Sequence, residues 1–99
     1  MRQALPNRRP AETSAFVHDG IRYTATVGHF GNGRPAEVFL GTGKPGTALD
    51  AMARDLAVIT SIALQHSAPV ETLRRAMTRL DDGQAAGPMG RLLDLVAKG

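Results

Sequence analysis

One segment, Gly46 to Ser67, reads GTALDAMARDLAVITSIALQHS and is long and apolar enough to carry a core. Leu49, Met52, Leu56, Ile59 and Ala63 recur at spacings of three and four, which puts them on one helical face. Ala53, Val58, Ile62 and Leu64 widen that stripe until the second half is apolar on most sides, the pattern of a buried helix. Thr47 stands where an N-cap belongs, and Asp50, three residues on, completes a weak capping box. Asp50 and Arg54 lie four apart on the remaining polar face. The expectation is a central helix with its Leu49 to Ala63 stripe turned into the core.

The other elements follow from turn chemistry. Asp19-Gly20 supplies the positive φ angles of a tight hairpin within Phe16 to Tyr23. From Ile21 the alternation of Ile21, Tyr23, Ala25 and Val27 with Arg22, Thr24 and Thr26 describes a half-buried strand. Taking Asn32-Gly33 as a second two-residue loop sets Val27 opposite Val38 and Ala25 opposite Leu40, so one face stays apolar. Arg34 to Leu40 is then the third strand, and GTGKPG is a connection. Pro69 restarts the chain as a second helix whose stripe is Val70, Leu73, Met77 and Leu80. A last helix, Met89 to Ala97, offers Leu92, Leu93 and Val96. The fold class is α+β: a three-stranded antiparallel meander packed on a long central helix, followed by two shorter helices.

Ninety-nine residues make one domain. Residues 1–11, with Arg2, Arg8 and Arg9 and no acid, read as a disordered basic tail, and 12–99 as the domain. Beyond that tail the remaining Lys and Arg equal the 9 Asp and Glu, so the positive charge belongs to the tail. No stretch is apolar enough to span a membrane and no secretory h-region opens the chain, so a cytoplasmic protein without membrane contact is the expectation.

Zero cysteines exclude disulfides, thiolate metal sites and thiol redox chemistry. His18 and His29 fall at opposite ends of the middle strand and His66 at the end of the long helix, too far apart for a metal site. No metal or cofactor is therefore expected on this chain. Ser61 and Ser67 sit in or at the end of the helix rather than on a strained elbow, and Asp81-Asp82 is a loop pair, so no catalytic set emerges. GTGKPGT fails as a phosphate loop because Pro45 follows Lys44, though glycine amides, Lys44 and a helix N-terminus converge there. Arg74, Arg75 and Arg79 give the second helix a basic flank. Phe39 on the outer sheet face, with Phe30 near its end, makes self-association an expectation.

Gly33-Arg34-Pro35-Ala36-Glu37-Val38-Phe39, then Gly43-Lys44 with Gly46, then SIALQHSAPVETL, resembles the TSCPD domain from about Gly20 to Leu80. That domain occurs at the C-terminal end of adenosylcobalamin-dependent ribonucleotide reductases and as small standalone proteins. The resemblance implies a tie to deoxyribonucleotide supply for DNA synthesis and repair. The cysteines of the Thr-Ser-Cys-Pro-Asp motif would be its metal ligands, and the matching region here reads Gly87-Pro88-Met89-Gly90. Ribonucleotide reduction also draws on cysteine thiols. The expected role is thus a non-catalytic accessory or interaction domain, with adenosylcobalamin left to the related reductases. Arg34, Glu37, Lys44, Arg74, Arg75 and Arg79 are the candidate anion or partner contacts. A ribonucleotide reductase and a second copy are the expected partners, and a nucleic-acid or nucleotide/phosphate binder using the Arg tail and the Lys44 loop is the alternative.

Overall fold

Asp19 and Gly20 both take positive φ, 50° and 76°, so the chain reverses in two residues and His18 faces Ile21. This turn joins β1 (Ala11–His18) to β2 (Ile21–His29), which pairs in turn with β3 (Pro35–Thr42) in an antiparallel sheet of order β1-β2-β3. Three helices follow: α1 (Ala48–Gln65), α2 (Val70–Ala76) and α3 (Pro88–Lys98). The computed structural model describes Arg2 and residues 11–98. The expected tail lies outside the described residues except for Arg2 and for Ala11, which already belongs to β1.

The second hairpin keeps the expected register by a different route. Val27 faces Val38 and Ala25 faces Leu40, as the alternation requires. The loop is not Asn32-Gly33, however. Phe30 N–H bonds Arg34 O at 2.8 Å and Gly33 N–H bonds Phe30 O at 2.9 Å, so three residues, Gly31 to Gly33, make the turn. Gly33 takes the left-handed φ of 85° that such a loop needs at its last position. The pairing slips by one residue between Gly28 and His29, a bulge that absorbs the longer loop.

The inner face of the sheet presents Tyr23, Ala25, Val38 and Leu40, all buried. Leu92, Leu93 and Met89 of α3 join Ala53, Ala57 and Leu64 of α1 in one cluster with them. Phe16 stacks on Tyr23 across the first hairpin with ring centroids 5.5 Å apart. Burial, with the Asp19 carboxylate nearby, raises the Tyr23 pKa. Val27, Leu73 and Met77 pack against the cluster while partly exposed, and Ile21, expected inside, is exposed where it closes the first turn. Leu80 lies beyond α2, which is shorter than its sequence pattern implies, and is also exposed.

The expected orientation of α1 is overturned. Met52 is 57% exposed, Leu56 42% and Ile59 66%, whereas Asp50, Ala53, Ala57, Thr60, Leu64 and Gln65 are buried. The reason lies along β3. The helix runs beside the outer edge of that strand, and its side chains stand in for a fourth strand. Ser61 Oγ accepts from Val38 N–H at 2.9 Å and donates to Val38 O at 3.0 Å. Gln65 Nε2 donates to Ala36 O at 3.1 Å, and Asp50 Oδ1 accepts from Thr42 N–H at 2.7 Å. These bonds require a close approach, and Ala53 and Ala57 permit it where a ridge of Leu and Met would hold the axis away. Thr47 caps the helix as expected, accepting from Asp50 N–H at 3.2 Å.

Candidate functional site

The described surface offers two large openings. The first is a groove of about 610 Å³ on the outer side of the sheet, between β3 and α1. Phe39, Val58 and Ile62 give it an apolar floor, and Thr24, Thr26, Glu37 and Arg54 line it as well. Its shape follows from the edge bonds: α1 is drawn onto β3, so Val58 and Ile62 turn outward beside Phe39. All three are exposed, Phe39 at 55%. Arg54 reaches across Gly41, where a Cβ would meet Arg54 Nη2 at 3.3 Å, and donates to Asp50 Oδ2 at 2.7 Å. That bond first, and the Thr42 amide second, hold the Asp50 carboxyl below the usual carboxylate range. Arg2 Nε donates to Gln65 Oε1 at the end of the groove.

The second opening, of about 990 Å³, is bounded by the β1–β2 turn, α2 and α3. It is polar, but its charges are mixed: Asp19, Glu71, Asp82 and Asp94 against Arg74, Arg91 and Lys98. Arg79 holds Asp94 with two hydrogen bonds, 2.6 and 2.9 Å, and donates a third to Arg74 O at 2.8 Å. Arg74 Nε, itself out of contact with solvent, lies 2.8 Å from Asp94 Oδ1 in a half-buried ion pair without hydrogen-bond alignment. The Arg79 bonds lower the Asp94 pKa against the opposing effect of burial. His18 Nε2 is 3.0 Å from Ala86 O, which ties the first hairpin to the loop before α3. This cleft has no excess of positive charge to attract a phosphate.

A third, smaller pocket of about 450 Å³ lies at the α1 N-terminus, where Arg22 and Lys44 share the lining with Thr42, Gly43 and Thr47. No carboxylate lines it.

The expected contact residues therefore do not form one site. Arg34 and Lys44 flank opposite ends of β3, and Arg34 stacks over the Phe30 ring at 5.5 Å. Phe30 is buried, so it offers no self-association surface, whereas Phe39 is exposed as expected. Glu37 lines the apolar groove, on the outer face with Phe39. Arg74 and Arg79 are committed to Asp94, and Arg75 to Glu71 at 2.9 Å, so the flank on α2 is not an open basic patch. Arg79 in particular is a structural residue. Changing it to Glu would set a second carboxylate beside Asp94. Ser61, with no catalytic neighbours in the sequence, proves to be a backbone ligand of β3. Val58 and Ile62 read in the sequence as core and are groove residues. The signal that locates them is the second stripe, Ala53, Ala57, Thr60 and Leu64, in which the small side chains of the first three mark the side of close approach.

Among the described residues no group of three His, Cys, Asp or Glu is arranged to hold a metal, and no helix is long and apolar enough to cross a membrane. In the larger cleft Arg74 is paired with Glu71 and Asp94, and the histidine is engaged with Ala86 O.

The sequence model of the TSCPD domain matches residues 2–99. A vitamin B12-dependent ribonucleotide reductase of Agrobacterium fabrum is 36% identical over 77 residues, 78% of this chain and 6% of that protein. One of Bradyrhizobium diazoefficiens is 30% identical over 88 residues, 89% of this chain and 7% of that protein. One of Streptantibioticus cattleyicolor is 30% identical over 80 residues, 81% of this chain and 13% of that protein. The chain thus spans a small fraction of the length of the curated relatives it matches. No solved structure matches it.

Proposed function

Because the chain belongs to the TSCPD domain family, we propose that it is a non-catalytic docking module for a vitamin B12-dependent ribonucleotide reductase. It serves deoxyribonucleotide supply, and through it DNA synthesis, by binding the reductase in the cytoplasm. It holds no cofactor of its own. The observation that carries the reading is the groove of Phe39, Val58 and Ile62, an apolar surface on a chain similar to a small part of much longer reductases. The absence of cysteine supports it further, because a chain without thiols cannot supply the reducing groups of that chemistry. An apolar segment of the reductase fills the groove, and Arg54, held by Asp50, borders it without carrying an unpaired charge.

The test is titration of the labelled chain with the reductase of its own source. Association at micromolar concentration is expected, weakened at least tenfold by Phe39→Ser or Val58→Asp, both at exposed positions. No association at about 100 µM would overturn the reading.

A second reading, phosphate binding, is favoured by one observation: Arg22 and Lys44 line the pocket at the α1 N-terminus without a carboxylate. It requires binding of an oligonucleotide or nucleotide that weakens steeply with salt and is lost in Lys44→Ala.

A further inference from the structure

We propose that α1 pairs antiparallel with α1 of a second copy of this chain, through the stripe Leu49, Met52, Leu56, Ile59, Ala63 and His66. These positions recur at intervals of three and four without exception, the spacing of a coiled-coil seam. They lie on a different face of α1 from the Val58 and Ile62 groove. Met52, Leu56, Ile59 and His66 are exposed, and Leu49 and Ala63 are half-buried. In its own fold the helix buries another face, Asp50, Ala53, Ala57, Thr60, Leu64 and Gln65, against the β3 edge and the core. The seam spans six positions, five on α1 and His66 at its C-cap, over about 26 Å.

The spacing asks for a helix as occupant, and the order of side-chain sizes selects this chain, reversed. In an antiparallel pair the layers are Leu56 on Ile59 of the second copy, Met52 on Ala63, and Leu49 on His66, each occurring twice about the two-fold axis. A large side chain meets a small one in the Met52 layer, and the imidazole falls at the rim. A parallel pair would instead set Ala63 on Ala63, leaving a gap, and His66 on His66. No Lys, Arg, Asp or Glu lies in the seam, so pairing buries no formal charge there. Antiparallel helix dipoles favour the same arrangement. A face about 26 Å long and about 10 Å wide is small for a specific interface, so the pairing is weak and is sought up to the hundreds of micromolar.

Sedimentation of the full chain from about 5 to about 300 µM should show a monomer–dimer equilibrium. Ile59→Glu, at a solvent-exposed position, should remain monomeric throughout with an unchanged circular dichroism spectrum. Because the chain has no cysteine, orientation can be read by cross-linking. Met52→Cys mixed with Ala63→Cys should give at least tenfold more covalent dimer under mild oxidation than either alone. In the antiparallel pair two copies of residue 52 are about 16 Å apart along the axis, beyond disulfide reach. A wild type that stays monomeric, or a dimer that Ile59→Glu leaves intact, would overturn the pairing. So would Met52→Cys alone cross-linking as well as the mixture.

Discussion

Replacing Leu64 by alanine removes three buried carbons from the side of α1 that faces the sheet, where the residue is 1% exposed. At about 0.8 kcal/mol per buried methylene the transfer loss is about 2.4 kcal/mol. The cavity left in the buried cluster brings the total into the range of about 2.7–5 kcal/mol. Ile59→Ala is the matched control, because Ile59 is 66% exposed on the opposite flank of the same helix. About a third of its side chain is covered, so the transfer loss is below about 1 kcal/mol, and the better helix propensity of alanine offsets part of it. Urea unfolding followed by far-ultraviolet circular dichroism compares the two directly, with the slope checked for constancy. Equal losses, or a larger loss at Ile59, would refute the assignment of the buried face. Both measurements belong below about 5 µM, where the proposed dimer is dissociated.

Ser61→Ala deprives Val38 N–H and C=O of their partner and should cost about 1–3 kcal/mol in the same assay; a change within about 0.3 kcal/mol would mean that α1 does not seal that edge. Asp50 and Asp94 both titrate below their ordinary range in the folded chain, so the unfolded chain takes up protons first as pH falls. Their stabilisation is full above about pH 4 and is lost as pH falls through the lowered native values. Asp94→Asn should lower stability at neutral pH and flatten that acid limb, and an unchanged limb would argue against the Arg79 clamp. Gly90→Val should destabilise through the α3 contact, since a Cβ there already meets Ala85 Cβ at 3.1 Å and Met77 Cβ at 3.2 Å; wild-type stability by thermal melting would count against that packing.

The parts of the fold legible in the sequence are those governed by local chemistry. Asp19-Gly20 specifies its turn, Thr47 its cap, and the alternation from Tyr23 to Val27 the register of the sheet. The register survived a mistaken loop at Asn32-Gly33 because burial of Val27 and Val38 on one face fixes it, and a bulge takes up the difference. The orientation of α1 was not legible by hydrophobicity. Two stripes compete on that helix, and the bulkier one lost. What decided the outcome was the hydrogen-bonding demand of the β3 edge, met by Asp50, Ser61 and Gln65, a long-range term that no window of sequence contains. The same competition hides the groove, since Val58 and Ile62 read in the sequence as core. Likewise Arg74 and Arg79 look free in sequence because their shared partner, Asp94, lies far along the chain, 15 residues beyond Arg79.

The docking reading is tested most directly by complementation of turnover. A vitamin B12-dependent reductase from the same source, lacking any segment that matches this chain, is assayed with and without the purified protein. The account predicts that the chain changes the rate saturably, and that Phe39→Ser raises the concentration required at least tenfold without altering the fold. A turnover rate unaffected by the wild-type chain at about 100 µM would contradict it.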